Sequence, residues 1–416
     1  MRDLTPSALR LPATGVPAAL LAAPERFGGV AQGELLCGTL IVEGGRAVGL
    51  DPATGAASPE RIVLPHLTEA HVHLDKCHSV DRCDDVGGDL AAAGRAQSLD
   101  RRLWTREDLT RRARRGLSEL AAAGCGAVRS HVDWTSGPDA SEVPLAWEVL
   151  GALAEDAAAL GLTLQRAALT GIDEMADAAR AEAVARRMAR DGGVLGSFVL
   201  GHDGRREGIG NLFALAERFG LALDFHVDEG LDPALDGLET IADIALATGF
   251  QGPVLCGHAC ALASKAPDDT ARIADKLARA GIAVAALPTT NLYLQGRRAG
   301  TPDRRGITRL QELEAHGVAT VIGSDNVRDA YCPIGRHDPA FALSVAVLAG
   351  HLDPPFGRHL PKITTTARRA LGLSALTVDS APARDLVAYP VASLSELLSG
   401  QAAPLPLPDL PEVSHA

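Results

Sequence analysis

Beyond residue 60 the hydrophobic positions settle into a repeating beat. A short apolar run is followed by a polar loop, then by a long Ala/Leu/Arg stretch with apolar residues at three- and four-residue spacing. The apolar runs predict strands over residues 62–67, 127–131, 162–169, 196–200, 221–226, 253–258, 282–287 and 319–324. Helices are predicted between them over 106–123, 176–190, 211–219, 238–247 and 268–280. Such alternation implies a parallel sheet, and eight strand–helix units imply an α/β (β/α)8 TIM barrel. A doubly wound open sheet would need a glycine-rich phosphate turn after a strand, and no G-x-G-x-x-G is so placed.

The chain before the beat reads differently. Apolar residues on either side of Gly44-Gly45, from Leu35 to Leu50, predict two short strands around a tight turn, a small β element outside the barrel. The apolar patch over 11–23 has the composition of a leader core, but Pro12 and Pro17 interrupt it and Asp3 sits beside Arg2, which argues against export.

Composition narrows the class of partner. A chain of 416 residues that is 46% hydrophobic can bury a large core, and a net charge of −12 with scattered arginines argues against a nucleic-acid partner. No apolar run is long enough to span a membrane. A small-molecule substrate is the remaining expectation. The seven cysteines are odd in number, far apart and without a C-x-x-C pair, so they are read as free thiols in a reducing cytoplasm.

The candidate chemistry lies where barrel enzymes carry it, at the C-terminal ends of the strands. His71 and His73 follow the first predicted strand two residues apart, a spacing that puts two side chains on one face of an extended segment. His131 and Asp133 follow the second, His202 the fourth, His226 and Glu229 the fifth, His258 the sixth, and Asp325 and Asn326 the eighth. His131 and His202 are read as hydrogen-bonded packing residues. His71, His73, His226 and Asp325 make a nitrogen/oxygen set suited to Zn²⁺ or Fe²⁺ with a position left open for water, and such an ion lowers the pKa of that water to yield a hydroxide nucleophile. A second ion beside the first would need a bridging group such as a carbamylated lysine after the fourth strand. The only lysines are Lys76, Lys265, Lys276 and Lys362, none of them near that strand, so one divalent ion per chain is expected there.

In order along the chain, His71-Val-His-Leu-Asp-Lys76, Ser130-His-Val-Asp133, His226-Val-Asp-Glu229, Gly257-His258, Asn291-Leu-Tyr-Leu-Gln-Gly-Arg297, Arg304-Arg-Gly-Ile-Thr-Arg309 and Gly323-Ser-Asp-Asn326 resemble bacterial cytosine deaminase, within the amidohydrolase superfamily. The branch also holds hydrolases of aminated triazines. The resemblance implies a single Fe²⁺ or Zn²⁺ on His71, His73, His226 and Asp325, with Glu229 moving protons to the ring nitrogen and the leaving amine. It also implies that His258 stays off the metal and polarises the attacked centre. Hydrolytic deamination needs a nucleophile, a proton donor and a partner for the tetrahedral oxygen, and the ion, Glu229 and His258 match those needs. Asp228 shares the stretch with Glu229 but has no counterpart in the family's role. Many relatives are homo-oligomers.

The departures from the resemblance concern substrate. The family's glutamine-bearing loop after the third strand is replaced by Leu169-Thr170-Gly171-Ile172, the second aspartate of the strand-8 pair is Asn326, and Tyr331 stands beside Cys332 where an aromatic is expected. Thr170, Gln295, Asn326 and Tyr331 are therefore the candidate substrate contacts, while Asn291, Gln295 and Arg297 either touch substrate or brace their loop. The expected reaction is deamination of an aminated N-heterocycle of cytosine or isocytosine type, with cytosine itself a poor substrate. Hydrolysis of an N-substituted triazine amine or of a cyclic amide is the alternative within enzymes, and a catalytically silent metal-binding barrel the alternative outside them. The β-like run Asp385-Leu-Val-Ala-Tyr389 is expected to join the N-terminal strands in the small β side domain common in the superfamily. That assigns residues 1–60 and 376–416 to the side domain and tail, and 61–375 to the barrel. The proline-rich run Pro404 to Pro411 is expected to trail over the surface rather than form final strands.

Overall fold

A computed structural model describes residues 9–52, 58–84, 86–134, 142–298 and 300–407. Five strands come first: β1 (Leu9–Pro17), β2 (Val30–Gln32), β3 (Leu35–Glu43), β4 (Arg46–Asp51) and β5 (Arg61–Pro65). The apolar patch over 11–23 is thus largely a sheet strand, with Leu11, Val16 and Leu20 buried. β3 and β4 form the expected hairpin, and its turn needs glycine because Gly44 and Gly45 both have positive φ (56° and 73°).

The next eight strands make the barrel: β6 (Leu67–Val72), β7 (Cys125–Asp133), β8 (Thr163–Gly171), β9 (Leu195–Val199), β10 (Leu223–Val227), β11 (Val254–His258), β12 (Ala283–Ala286) and β13 (Thr320–Ile322). They lie side by side in chain order, and the pairings along the row are parallel, as between β10 and β11. The predicted (β/α)8 barrel is therefore present, with one correction to its first strand. The apolar run over 62–67 divides. Its main part, β5, pairs with β1 and with β14 (Leu386–Tyr389) in the side sheet, and the barrel begins only at Leu67. The helices lie close to their predicted places: Arg106–Ala122, Ala178–Asp191, Arg205–Phe219, Gly237–Thr248 and Pro267–Arg279.

The seam between β6 and β13 closes at the functional residues. Val72 bridges Asp325, and the Asp325 amide donates to the His71 carbonyl at 2.8 Å. Beneath them the buried carboxylate of Glu69 accepts from the amides of His71 (3.0 Å) and Ser324 (3.1 Å). Those contacts lock the two strand ends in register.

The C-terminal run returns to the side sheet as predicted, β14 pairing antiparallel with β5. The tail departs from expectation. Leu405–Pro406 forms a two-residue strand, β15, against Val387 and Ala388, and Leu407 is fully buried. A proline is tolerated there because β15 is the edge of its sheet; the rest of the proline-rich run lies outside the described residues. Among the described residues no helix is long and apolar enough to cross a membrane, and all seven cysteines are free.

Candidate active site

β6, β10 and the turn after β13 bring four donor atoms together. His226 Nε2 lies 3.1 Å from both His71 Nε2 and His73 Nε2, and Asp325 Oδ1 lies 3.2 Å from His73 Nε2 and 3.5 Å from His71 Nε2. Three nitrogens and a carboxylate oxygen facing one another cannot all be satisfied by shared protons. Both Asp325 oxygens lack a hydrogen bond despite complete burial. The spacing instead fits a common cation: ligands at about 2.0–2.1 Å in a tetrahedron stand about 3.3–3.4 Å apart. Burial, joined by repulsion from neighbouring cations, holds His73 down to about 3, and burial with the adjoining imidazoles holds His226 well below its ordinary value. Burial alone would raise the Asp325 carboxyl, but His71 and His73 hold it well below the usual range. Neutral His73 and His226 and an ionised Asp325 are in the protonation states that a divalent ion requires.

Small residues make room for this packing. A Cβ on Gly257 would lie 2.8 Å from His71 Cε1, and one on Gly323 would lie 2.9 Å from the His71 carbonyl oxygen. His131, read from sequence as packing, does hold a carboxylate, its Nε2 lying 2.9 Å from Asp224 Oδ1. It also stacks 3.9 Å from His71, and one nitrogen from each of His71, His73, His131 and His226 falls within 4.8 Å of the others. His202 is a packing residue, its Nδ1 accepting from the Leu200 amide at 3.0 Å.

The two carboxylates after β10 have different surroundings. Asp228, with φ +50°, accepts from the Gly237 and Leu238 amides at 3.0 Å each and so caps the next helix. Glu229 instead lines the cavity at the barrel mouth, 3.4 Å from His258 Nδ1. Burial, then the nearby Asp325 charge, pushes its carboxyl well above the usual range. His258 adopts a left-handed φ of +69° at the end of β11. Asn291 donates to its Nδ1 at 3.0 Å, which places the ring proton on Nε2, an atom with no partner in the protein.

The cavity measures about 1020 Å³ and collects the remaining predicted contacts. Thr170 lines it, but its hydroxyl proton goes to the Gly196 carbonyl at 2.8 Å. Gln295 braces the Glu229 carbonyl at 3.3 Å, Asn326 donates to Asp329 at 2.7 Å, and Tyr331 stands 5.3 Å from Lys76 Nζ. Of the loop residues left open, Asn291 serves His258, whereas Arg297 lies 4.3 Å over the Tyr293 ring on the cavity wall. One wall was not anticipated. Lys76 and Arg101 both grip Asp133, at 2.6 Å and 2.5 Å, and Asp75 fixes the Asp133 amide at 2.9 Å. Lys76 stood in the quoted first-strand run, but no spacing pointed it toward Asp133. Glu69 and Arg129 were also missed, because a buried carboxylate and a buried guanidinium look like surface charges in sequence.

A family model described as the amidohydrolase family matches residues 84–383. The chain is 34% identical over 358 residues to pterin deaminase of Rhizobium rhizogenes (strain K84), covering 84% of this chain and 80% of that protein. In fold it is similar to 5-methylcytosine deaminase from Klebsiella pneumoniae, with TM-score 0.79, 24% identity and coverage of 98% of this chain and 99% of that one. It is also similar to N-isopropylammelide isopropylaminohydrolase from Burkholderia multivorans, with TM-score 0.69, 21% identity and coverage of 95% of each chain. Strand-end donors on a (β/α)8 barrel and a family match over most of its length lead to one conclusion: the chain belongs to the amidohydrolase family, enzymes that hydrolyse carbon–nitrogen bonds.

Proposed function

We propose that the protein is a metal-dependent deaminase of a bicyclic 2-amino-4-oxo heterocycle of the pterin class. The observation that carries the reading is the convergence of His71, His73, His226 and Asp325 at 3.1–3.5 Å with Glu229 and His258 beside them. Those four residues would hold one divalent ion, Zn²⁺ or Fe²⁺. When bound, it supplies Lewis acidity at the attacked carbon and brings the pKa of water towards neutrality.

The chain's own groups complete the reaction. Water adds to the carbon bearing the amine as Glu229 takes one of its protons and passes it to the adjacent ring nitrogen. The His258 Nε2 proton meets the oxygen on which charge develops. Glu229 then carries the second water proton to the amine, the C–N bond breaks, and ammonia leaves behind a ring carbonyl. Burial of Glu229 raises its proton affinity, which favours taking the proton from water; the carboxyl so formed is the donor for the ring nitrogen and the amine.

Three features support a two-ring substrate. The cavity lies at the top of the roughly 300–1,000 Å³ range of small-molecule sites, more than one pyrimidine fills. The wall at Thr170 and Gly171 lacks the glutamine that reads cytosine's amide edge. Isocytosine, the expected single-ring substrate, is the amino-bearing half of a pterin, and a pterin deaminase is among the relatives. Free thiols throughout fit a reducing cytoplasm. The test is ammonia release from pterin, isocytosine, cytosine and aminotriazines by metal-reconstituted protein. Pterin should lead, and a dominant kcat/KM for cytosine or a triazine would overturn the substrate assignment.

A further inference from the structure

A second group of ligating side chains lies outside the barrel mouth. Cys77 and His78 follow the first-strand motif, Glu119 lies near the end of the helix Arg106–Ala122, and His337 lies in the loop after Asp325. Glu119 Oε2 accepts a hydrogen bond from His337 Nδ1 at 2.8 Å and lies 3.1 Å from His78 Nε2. One ligand atom from each of Cys77, His78 and His337 falls within 4.8 Å of the others. The side chains of His78 and His337 are 4% and 0% exposed. Even so, both nitrogens of His78 and the Nε2 of His337 have no hydrogen-bond partner. Gly116 opens the space, since a Cβ there would lie 3.1 Å from His337 Cε1 and 3.5 Å from Cys77 Sγ.

We propose that Cys77, His78 and His337 form a second, non-catalytic zinc site, separate from the active centre, with His337 ligating through its unpartnered Nε2 while Glu119 holds its Nδ1 proton. One sulfur and two imidazoles, with water in the fourth position, are a donor set that selects Zn²⁺ over Mg²⁺ or Ca²⁺. Arg115 holds Glu119 Oε1 at 2.9 Å, which orients the carboxylate so that Oε2 fixes the His337 ring as a positioning partner. Glu119 is 35% exposed and with His337 lines an open cavity, which provides the ion's access route. On binding, the Cys77 thiol gives up its contacts to the Leu74 and Arg112 carbonyls (3.5 and 3.6 Å), forms an S–Zn bond and releases one proton to solvent. The ion would clamp the loop after β6 to the loop after β13, which Glu119 already ties to a barrel helix through His337.

The test is a titration of metal-free protein with Co²⁺, a coloured stand-in for Zn²⁺. Two equivalents should bind, one of them producing a near-ultraviolet thiolate-to-cobalt band. Cys77→Ser should abolish that band, and Glu119→Gln, a change at a partly exposed helix position with little folding risk, should weaken its formation at least tenfold. Both should keep the other equivalent and deaminase turnover. No thiolate band at saturating Co²⁺, or a band that survives Cys77→Ser, overturns the proposal. The active centre has no sulfur donor, so loss of turnover with the band intact would count against the proposed function and leave this site standing.

Discussion

Glu229→Gln separates proton transfer from everything else the site does. The amide keeps the size and polarity of the carboxyl, and the brace from Gln295 reaches the Glu229 main chain rather than its side chain. The loop and the four converging donors should therefore be undisturbed. What is lost is the cavity carboxyl that stands beside His258, whereas the neighbouring Asp133 is already gripped by Lys76 and Arg101. General acid–base transfer contributes about 10²–10⁴-fold, or roughly 2.7–5.4 kcal/mol of transition-state stabilisation. Because the missing step follows binding, the loss should fall on kcat with KM nearly constant. The assay is steady-state ammonia release with metal content measured on the same sample. Asp228→Asn is the matched control: it weakens a helix cap by about 1 kcal/mol, seen as a lower melting temperature with kcat retained. A Glu229→Gln enzyme within a few-fold of the parent, or one that has shed its metal, would refute the assignment.

His226 faces both His71 and His73, so His226→Ala should abolish turnover and remove one tightly held ion relative to the parent; unchanged metal analysis would refute the ligand set. Gly257→Ala would drive a methyl to 2.8 Å from His71 Cε1, and overpacking of this kind costs about 1–3 kcal/mol. Calorimetry and metal titration should show a lower melting temperature and weaker metal binding together. Asp108 is held below its ordinary value, because pairing with Arg82 and Arg112 outweighs the raising effect of burial. A carboxyl depressed in the folded state stabilises above its unfolded pKa of about 3.9 and loses that contribution as pH falls through its folded value. Asp108→Asn should therefore be less stable at neutral pH and show a shallower fall in stability under acid, measured by denaturant melts across pH.

The strand beat and the chemistry at strand ends were legible because runs such as β11 and β12 stay apolar until they reach the mouth, and the polar residues inside β7, β8 and β10, such as Arg129, Arg166 and Asp224, did not break the pattern. The first strand was misplaced for a physical reason. β6 carries Thr68, Glu69 and His71, all fully buried, and polar residues satisfied by long-range partners do not look like a core strand. The apolar run just before it, Ile62 to Leu64, looked the part and went to the other sheet. His131, read as a packing residue, pairs with Asp224, and the approach of its ring to within 3.9 Å of the His71 ring is a tertiary contact that no spacing in the sequence carries. The tail was misjudged because the rule against proline in strands relaxes at an edge, and nothing local says where the edge will be. Specificity was the least legible part, since the cavity wall joins residues from separate loops such as Lys76, Arg101 and Tyr331.

The closure of the barrel at Glu69, His71, Ser324 and Asp325 makes catalysis a report on completed folding. Glu69 and Ser324 are 255 positions apart, so their contact closes one of the longest loops in the chain and, having large sequence separation, belongs to the slow end of assembly. A partly folded chain can own β7 through β12 and still lack three of the four proposed ligands, His71, His73 and Asp325, because those lie at or just past the ends of the strands on either side of the seam. Activity should then appear in one late phase during refolding, after most of the helical signal has returned, and a nascent chain would have no working centre to expose before its last barrel strand is in place.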